Sequence, residues 1–296
     1  MPSPSKQFDA IGAPWQIDTA QPLSAEAAAA IAARIDDFDR TYSRFRDDSL
    51  VSTIARTPGT YRFPTDAPPL FELYRRLYDA TDAAMSPLVG RALEELGYDS
   101  TYSLKPSSTR TRIPDWAEAI SWNGSELTTL TPVMLDVGAA GKGYLVDLVA
   151  GVLAEYGVSA ATIDASGDIL HRGPAELRVA LEHPLDASKA IGIVTVRNQA
   201  ICASAPNRRA WAGVHHILDA RTGLPTDRII ATWAIAATAL EADGLATALF
   251  FAEPEQLVAE FDFQFVRMFS TGRVEYSPQL NGEMFTGEMF TEKAGS

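Results

Sequence analysis

The amino-acid sequence predicts an α+β fold in which helices pack against mixed, largely antiparallel sheets. Segments with helical and strand periodicity are interleaved along the 296 residues, and most connections between strands after residue 158 are too short for a helical crossover. The composition does not change abruptly at any point. We therefore expect one domain, over residues 7–280, followed by a C-terminal tail over residues 281–296.

Periodicity and capping residues locate the individual elements. They predict helices over about 24–39, from 68 onwards, over 145–156 and over about 239–252. Apolar runs predict strands over 7–18 (interrupted at Gly12 and Pro14), 158–164, 177–182, 191–197, 200–203 and 229–236, and a closing hairpin over 263–276. The polar segment 99–118 is expected to form a surface excursion, and the tail contains a short GEMFT duplication.

The net charge argues against several classes of function. With 25 Lys and Arg against 38 Asp and Glu, the formal charge is −13, which disfavours broad binding to nucleic acid or to an anionic membrane. The single cysteine, Cys202, cannot form an internal disulfide or a multi-cysteine metal site. The sequence shows no apolar h-region at its start and no apolar run of the roughly 20 residues that a membrane span needs. We therefore expect a cytoplasmic protein without membrane insertion.

The first segment that could carry chemistry, LDVGAAGKGYLVD, spans residues 135–147. A glycine-rich turn that contains Lys142 leads into the helix with the strongest apolar periodicity. Glycines allow close backbone approach, and a helix N-terminus offers N–H groups and partial positive charge, so the segment could hold a phosphate. The alternative is a helix cap that happens to contain a lysine, because the spacing matches neither a Walker P-loop nor GxGxxG.

The second segment, VHHILDARTGLP, spans residues 214–225. On an extended stretch His215 and His216 point to opposite faces, so we expect only one of them to enter a pocket. A histidine titrates near neutral pH and can take a proton from a hydroxyl. The alternative is a structural turn with surface histidines.

The third segment, EADGLATA, spans residues 241–248. Asp243 and Thr247 are four positions apart on a helix that otherwise holds mainly small and apolar residues, so they share one face. A carboxylate and a hydroxyl together suit a hard cation such as Mg²⁺. The alternative is a capping pair on an ordinary helix.

In this order, the three segments resemble the motifs of the ApbE family, the FAD:protein FMN transferases. LDVGAAGKGYLVD is similar to D-L-G-G-I-A-K-G-Y-A-V-D, HILDARTGLP to H-I-I-D-P-x-T-G-x-P, and ADGLAT to A-D-x-x-A-T. Looser similarity relates residues 81–87 (TDAAMSP) to T-D-G-x-F-D-P, residues 41–49 (TYSRFRDDS) to S-x-Y-x-x-x-S, and residues 11–15 (IGAPW) to M-G-T-x-W. The resemblance covers about residues 8–270 and implies a single ApbE-like domain.

The resemblance implies a Mg²⁺-dependent transfer of FMN from FAD to a serine or threonine hydroxyl of an acceptor protein, with release of AMP. By this resemblance Asp243 and Thr247 would hold the metal with their side chains and Gly141 with its backbone carbonyl. His216 would remove the proton of the acceptor hydroxyl. The FAD contacts that the resemblance implies are Ser43, Asp82, Gly138, Lys142, Ser204, His216, Asp219, Arg221 and Thr222.

The sequence departs from these motifs at several positions. Ala83 replaces a glycine, Met85 and Ser86 replace Phe-Asp, and residues 164–168 (DASGD) stand where N-L-G-G-D is usual. Two alternatives to FMN transfer stay open: the same metal site would serve water as the acceptor, and the altered loops are consistent with binding alone. One is an FAD pyrophosphatase that uses water as acceptor and yields FMN and AMP, and the other is a flavin-binding protein without catalysis.

Overall fold

Helices and strands alternate along the chain in the computed structural model, which describes residues 4–206, 210–211 and 213–285. The helices are α1 (Ala25–Tyr42), α2 (Leu50–Arg56), α3 (Pro68–Ala80), α4 (Gly90–Glu95), α5 (Trp116–Ala119), α6 (Gly141–Glu155), α7 (Ala239–Ala248) and α8 (Pro254–Val258), with a 3-10 helix at Pro87–Val89. The strands are β1 (Ser5–Ala10), β2 (Ala13–Thr19), β3 (Gly59–Arg62), β4 (Ile120–Asn123), β5 (Glu126–Thr129), β6 (Ala161–Asp164), β7 (Asp168–Arg172), β8 (Leu177–His183), β9 (Asp186–Val196), β10 (Ala200–Ser204), β11 (Ala210–Trp211), β12 (Val214–His215), β13 (Leu218–Asp219), β14 (Leu224–Pro225), β15 (Ile229–Ala236), β16 (Gln264–Phe269), β17 (Val274–Tyr276) and β18 (Gly282–Met284).

An eight-stranded sheet forms the centre of the fold, in the order β1-β2-β6-β7-β10-β15-β16-β17. Every neighbouring pair in it is antiparallel. Two smaller sheets have the orders β18-β9-β8 and β3-β5-β4, and the ribbons β11-β12 and β13-β14 carry the two-histidine segment. The α+β fold with largely antiparallel sheets is therefore confirmed.

The large sheet buries both of its faces. On one face the helices contribute the core, with Ile31 of α1, Leu77 of α3, Leu145 of α6 and Leu245 of α7 all essentially inaccessible. On the other face the sheet of β8, β9 and β18 supplies a second apolar cluster against β10, β15 and β16. A sheet covered on both faces requires near-continuous apolar strands, as in the eight residues of β15.

Some element boundaries differ from the expected ones. The predicted strand over 7–18 is a hairpin, β1 and β2, because the backbone reverses at Ile11 and Gly12, both of which have positive φ. Helix α6 begins four residues earlier than expected, and α7 ends at Ala248. The sequence reasoning did not identify α2, β7 or the sheet of β3, β4 and β5.

The segment expected to be a tail contributes a strand. Gly282–Met284 pairs antiparallel with β9 as the third strand of the small sheet. The rest of the tail, from residue 286 onwards and including the second GEMFT copy, lies outside the described residues. Within the described part of the chain, no helix is both long and apolar enough to span a membrane, and the cytoplasmic location stays a prediction.

Helices α6 and α7 cap each other. The N–H of Gly143, in the first turn of α6, donates to the Asp243 carboxylate of α7 at 2.8 Å. In return, the N–H groups of Ala239 and Leu240, in the first turn of α7, donate to Asp147 of α6 at 3.0 and 2.8 Å. Desolvation raises the pKa of Asp147 to about 6. Each helix thus supplies a carboxylate acceptor for backbone donors at the start of the other, and Thr238 accepts a further N–H, that of Glu241, at the start of α7.

The two helices also approach each other more closely than a side chain at residue 143 would allow. A Cβ atom added to Gly143 would lie 2.1 Å from the carbonyl oxygen of Ala239 and 2.6 Å from the Cβ of Asp243. Glycine is therefore required at this position of α6 for packing.

We predict that Gly143→Ala destabilises the protein by about 3 kcal/mol, because the backbone of α7 cannot yield as a flexible side chain would. Gly151→Ala is the matched control, since a Cβ at Gly151 of the same helix meets nothing within 4 Å. That substitution should stabilise the helix by up to about 1 kcal/mol. Urea unfolding of both variants checks the prediction, and equal stabilities would contradict the close approach.

Candidate active site

Two side chains of α7 reach the segment that opens α6. The Asp243 carboxylate, in a residue that is 6% exposed, accepts the N–H of Gly143. One helical turn later, the Thr247 hydroxyl donates to the carbonyl oxygen of Ala139 at 3.3 Å. Gly141 lies between these two contacts, at the first position of α6. The structure therefore brings the three residues predicted to hold a metal to one corner of the molecule.

The oxygen atoms at this corner are of the kind that a hard cation binds. A carboxylate, a hydroxyl and a backbone carbonyl are hard donors, and Mg²⁺ usually takes one or two carboxylates and fills its remaining positions with water and substrate phosphate. Among the residues that the structure describes, no three His, Cys, Asp or Glu side chains form a group that could hold a metal. The donor set fits magnesium, and the role of these residues stays a prediction.

The side chain of Lys142 lies against the buried start of β7. Its ammonium is 2.5 Å from the Asp168 carboxylate and donates to the carbonyl oxygen of Ala165 at 2.7 Å. Asp168 is completely buried and pairs with Cys202 of β10 across the sheet. A buried carboxylate needs a cationic partner, so Lys142 links the first turn of α6 to the 164–168 loop. Its expected contact with the FAD phosphates stays a prediction.

Ser204 lies at the end of β10, opposite Thr232 of β15. The Thr232 hydroxyl donates to the carbonyl oxygen of Ala246 in α7 at 2.5 Å. Ala246 directly precedes Thr247, whose hydroxyl contacts Ala139. At the other end of α7, the Cys202 thiol approaches the carbonyl oxygen of Ala239 at 3.6 Å. Strand β10 therefore runs along α7, and Ser204 lies near its Thr247 end.

The two adjacent histidines have different surroundings. Nε2 of His215 lies 2.6 Å from the carbonyl oxygen of Thr226, and its Nδ1 accepts the N–H of Ile217 at 3.2 Å. These bonds use both ring nitrogens, and desolvation lowers the pKa of His215. His216, which follows β12 directly, is half-buried. His215 thus helps to hold the turn together, and the entry of His216 into a pocket stays a prediction.

A closed turn follows the histidines. The guanidinium of Arg221 binds the Asp219 carboxylate through two contacts, Nε at 3.0 Å and a terminal nitrogen at 2.6 Å. Thr222 continues the turn, and its hydroxyl donates to the Asp219 carbonyl at 3.4 Å. The N–H of Ala220 donates to the carbonyl of Ala84 at 2.8 Å, which joins this turn to the loop that holds Asp82.

Two loops place non-glycine residues in the left-handed backbone region, at positive φ, that glycine adopts most easily. Ala83 has a φ of 66° and follows Asp82, whose φ is 51°. Ser166, in the 164–168 loop, has a φ of 57°. Ala83 and Ser166 stand where the related motifs have glycine, and a non-glycine residue in this region is strained. In the same stretch as Ala83, Ser86 accepts the N–H of Leu88 at 3.2 Å and so caps the 3-10 helix.

The last two expected FAD contacts lie near a buried arginine. Ser43 ends α1, and Gly138 donates its N–H to the Asp136 carboxylate at 2.7 Å. The Nε of Arg44 binds the other oxygen of Asp136 at 2.5 Å. Arg44 is 5% exposed, so the ion pair ties the end of α1 to the glycine-rich turn before α6.

Sequence reasoning assigned no role to four residues that build the site: Arg44, Asp136, Asp147 and Asp168. Asp136 and Asp147 lie inside the LDVGAAGKGYLVD segment. Their position beside the glycine-rich turn could therefore have indicated that they belong to the site. The partners of Arg44 and Lys142 are 92 and 26 residues away along the chain. No local pattern indicates such pairs.

The chain is similar to known proteins of one family. The model of the ApbE family matches residues 11–264. A FAD:protein FMN transferase of Klebsiella pneumoniae is 25% identical over 251 residues, which cover 77% of this chain and 71% of that protein. Two solved structures show the same fold. The ApbE protein of Thermotoga maritima is 22% identical with a TM-score of 0.81. The match covers 93% of this chain and 97% of that one.

The second structure, the flavin transferase ApbE of Vibrio cholerae, is 20% identical with a TM-score of 0.77. The match covers 93% of this chain and 97% of that one. The family match extends over most of the described residues, from the turn of the first hairpin to the start of β16. It includes the α6–α7 corner, the two-histidine segment and the 164–168 loop. This chain belongs to the ApbE family.

Proposed function

We propose that this chain is a FAD:protein FMN transferase that moves FMN from FAD to a serine or threonine hydroxyl of an acceptor protein and releases AMP. The family and the names of the relatives support flavin transfer. One observation of the structure carries the proposal: Asp243 and Thr247 of α7 both meet the segment 139–143 at the start of α6.

The same corner suits a diphosphate. The first turn of α6 is rich in glycine and carries the partial positive charge of a helix N-terminus. Asp243, Thr247 and the carbonyl of Gly141 would hold Mg²⁺ beside it. When bound, the metal supplies positive charge that offsets the charge that develops on the diphosphate as a P–O bond breaks.

The reaction requires one bond to form and one to break. The acceptor hydroxyl oxygen attacks the FMN phosphorus, and the bond from that phosphorus to the oxygen shared with AMP breaks, so AMP leaves with the oxygen. The hydroxyl proton must go to a base, for which we propose the imidazole of His216. The neighbouring His215 is a poor candidate because both of its ring nitrogens already have partners.

The test is to incubate the purified protein with FAD and Mg²⁺, with and without an acceptor domain. Covalent flavin on the acceptor together with AMP supports the proposed transfer. AMP release that does not require an acceptor indicates a pyrophosphatase instead. Intact bound FAD without AMP indicates a binding protein and would overturn the proposal.

In this assay we predict that Asp243→Asn lowers the Mg²⁺-dependent release of AMP by about 100-fold or more, because the cation would lose the one carboxylate among its three proposed protein ligands. Asparagine keeps a side-chain oxygen that can accept the Gly143 N–H, so the fold should persist. Glu241→Gln is the matched control, an acid of the same helix with no place in the metal corner. Full activity of Asp243→Asn in the presence of Mg²⁺ would remove the metal assignment.

We predict that His216→Ala slows flavin transfer by about 100-fold or more while FAD affinity changes little, because the base acts on the acceptor hydroxyl and not on FAD. His215→Ala is the comparison: it removes two contacts of the turn and should lower the melting temperature. Transfer rates, FAD titration and thermal unfolding separate the two effects. A collapse of FAD affinity in His216→Ala would make His216 a ligand contact instead.

A further inference from the structure

A tyrosine of α3 carries its hydroxyl group into the core of the protein. Tyr74 is 1% exposed, and none of the residues that the structure describes completes a hydrogen bond with its hydroxyl oxygen. A buried tyrosine usually finds a partner for this group, and a buried hydroxyl without one is costly. Phenylalanine would fill the same space without that cost. The hydroxyl therefore requires an explanation beyond packing.

The hydroxyl of Tyr74 lies beside the proposed metal ligands. The backbone N–H groups of Ala139 and Ala140 face its oxygen. The carbonyl of Ala139 accepts the hydroxyl of Thr247 at 3.3 Å, and Ala140 directly precedes Gly141, the first residue of α6. The phenol thus meets the short segment that holds one of the three proposed ligands and contacts another.

Tight packing between α3 and α7 fixes the phenol in this position. A Cβ atom on Gly244 of α7 would lie 2.8 Å from a methyl carbon of Leu77 and 2.9 Å from a methyl carbon of Leu73, which directly precedes Tyr74. The same atom would lie 3.6 Å from the Cβ of Ala140. The two helices and the glycine-rich turn therefore meet closely, and such packing leaves a large side chain few alternative rotamers.

The surroundings of the phenol keep its proton in place. Desolvation raises the pKa of Tyr74 well above its ordinary value, and the carboxylates of Asp136 and Asp243 raise it further. The N–H groups of Ala139 and Ala140 oppose this rise but do not cancel it. The hydroxyl is therefore a neutral donor at neutral pH. Because two N–H groups already face its oxygen, what it lacks is an acceptor for its own proton.

We propose that Tyr74 is a positioning residue for the metal, and that its hydroxyl donates to an oxygen ligand of the cation when the site is filled. This inference rests on the metal assignment of the proposed function. The ligands that Mg²⁺ takes, which are carboxylates, phosphates and water, all present an oxygen that can accept such a bond. A group that hydrogen-bonds to a metal ligand fixes its orientation, and removal of such a group typically lowers metal affinity by about 10- to 100-fold.

The hydroxyl should therefore act in opposite directions on stability and on metal binding. In the metal-free protein it is a buried polar group without a partner, which destabilises the fold. In the metal-bound protein it gains an acceptor and helps to hold the cation. A tyrosine with a merely structural role would not weaken metal binding while it lowers the stability of the metal-free protein.

The test compares the purified wild type with Tyr74→Phe. Thermal unfolding of the metal-free proteins should show a melting temperature about 2 °C higher in the variant, because phenylalanine removes the buried polar group. Titration with Mn²⁺, which takes oxygen ligands as Mg²⁺ does and can be followed by electron paramagnetic resonance, should show an affinity about tenfold lower. The Mg²⁺ concentration for half-maximal AMP release should rise by about the same factor.

Tyr42→Phe is the matched control. The Tyr42 hydroxyl is also buried and makes no hydrogen bond within the described part of the chain. The charged side chains that act on it are Asp66 and Arg34, and neither is a proposed metal ligand. Tyr42→Phe should therefore raise the melting temperature as Tyr74→Phe does and leave the Mn²⁺ affinity unchanged.

The inference is overturned if metal-free Tyr74→Phe melts below the wild type, or if its Mn²⁺ affinity and Mg²⁺ requirement both match those of the wild type. An equal loss of Mn²⁺ affinity in Tyr42→Phe also overturns it, because the effect is then not specific to Tyr74. Asp243→Asn separates this inference from the proposed function. Equal Mn²⁺ affinity of the wild type and Asp243→Asn removes the metal assignment itself, whereas a loss in Asp243→Asn alone overturns only the role of Tyr74.

Discussion

The reciprocal capping of α6 and α7 is the interaction on which the rest of the site depends. Asp243 accepts an N–H group at the start of α6, and Asp147 accepts two at the start of α7. Because backbone donors at a buried helix start are costly to leave without an acceptor, the two helices fix each other's position and rotation. Gly143 lets the backbones approach closely enough for both sets of bonds to form. The carboxylate assigned to the metal is therefore also part of the framework that orients it.

The sequence identified the motifs of the site because each motif is local. A glycine-rich turn, a pair of histidines and two polar residues one helical turn apart can all be recognised within about a dozen positions. The interactions that assemble them are not local: Gly143 and Asp243 are 100 residues apart. The early start of α6 has the same cause. Its first residues lack apolar periodicity, and their helical conformation is stabilised by a carboxylate from another helix.

Short elements were missed for a related reason. Helix α2 has seven residues, just under two turns, which is too short for an apolar period to stand out, although Ser49 caps it by accepting the N–H of Ser52. Strand β7 begins with the buried Asp168, which is polar and so interrupts the apolar pattern of a central strand. Its partner Lys142 lies in another motif. The sequence therefore predicts the fold class and the identity of the site segments, and tertiary contacts determine the remaining boundaries.

The strand formed by Gly282–Met284 lies along the edge of β9 that β8 does not pair. It pairs with residues 192–194 of β9, whose backbone donors and acceptors would otherwise lie at a sheet edge. The fit is tight, since a Cβ on Gly282 would lie 2.5 Å from the carbonyl oxygen of Ile193. Shortening the protein at residue 280 would remove this cover. The backbone groups of β9 that this strand pairs would then be available to a second copy of the chain.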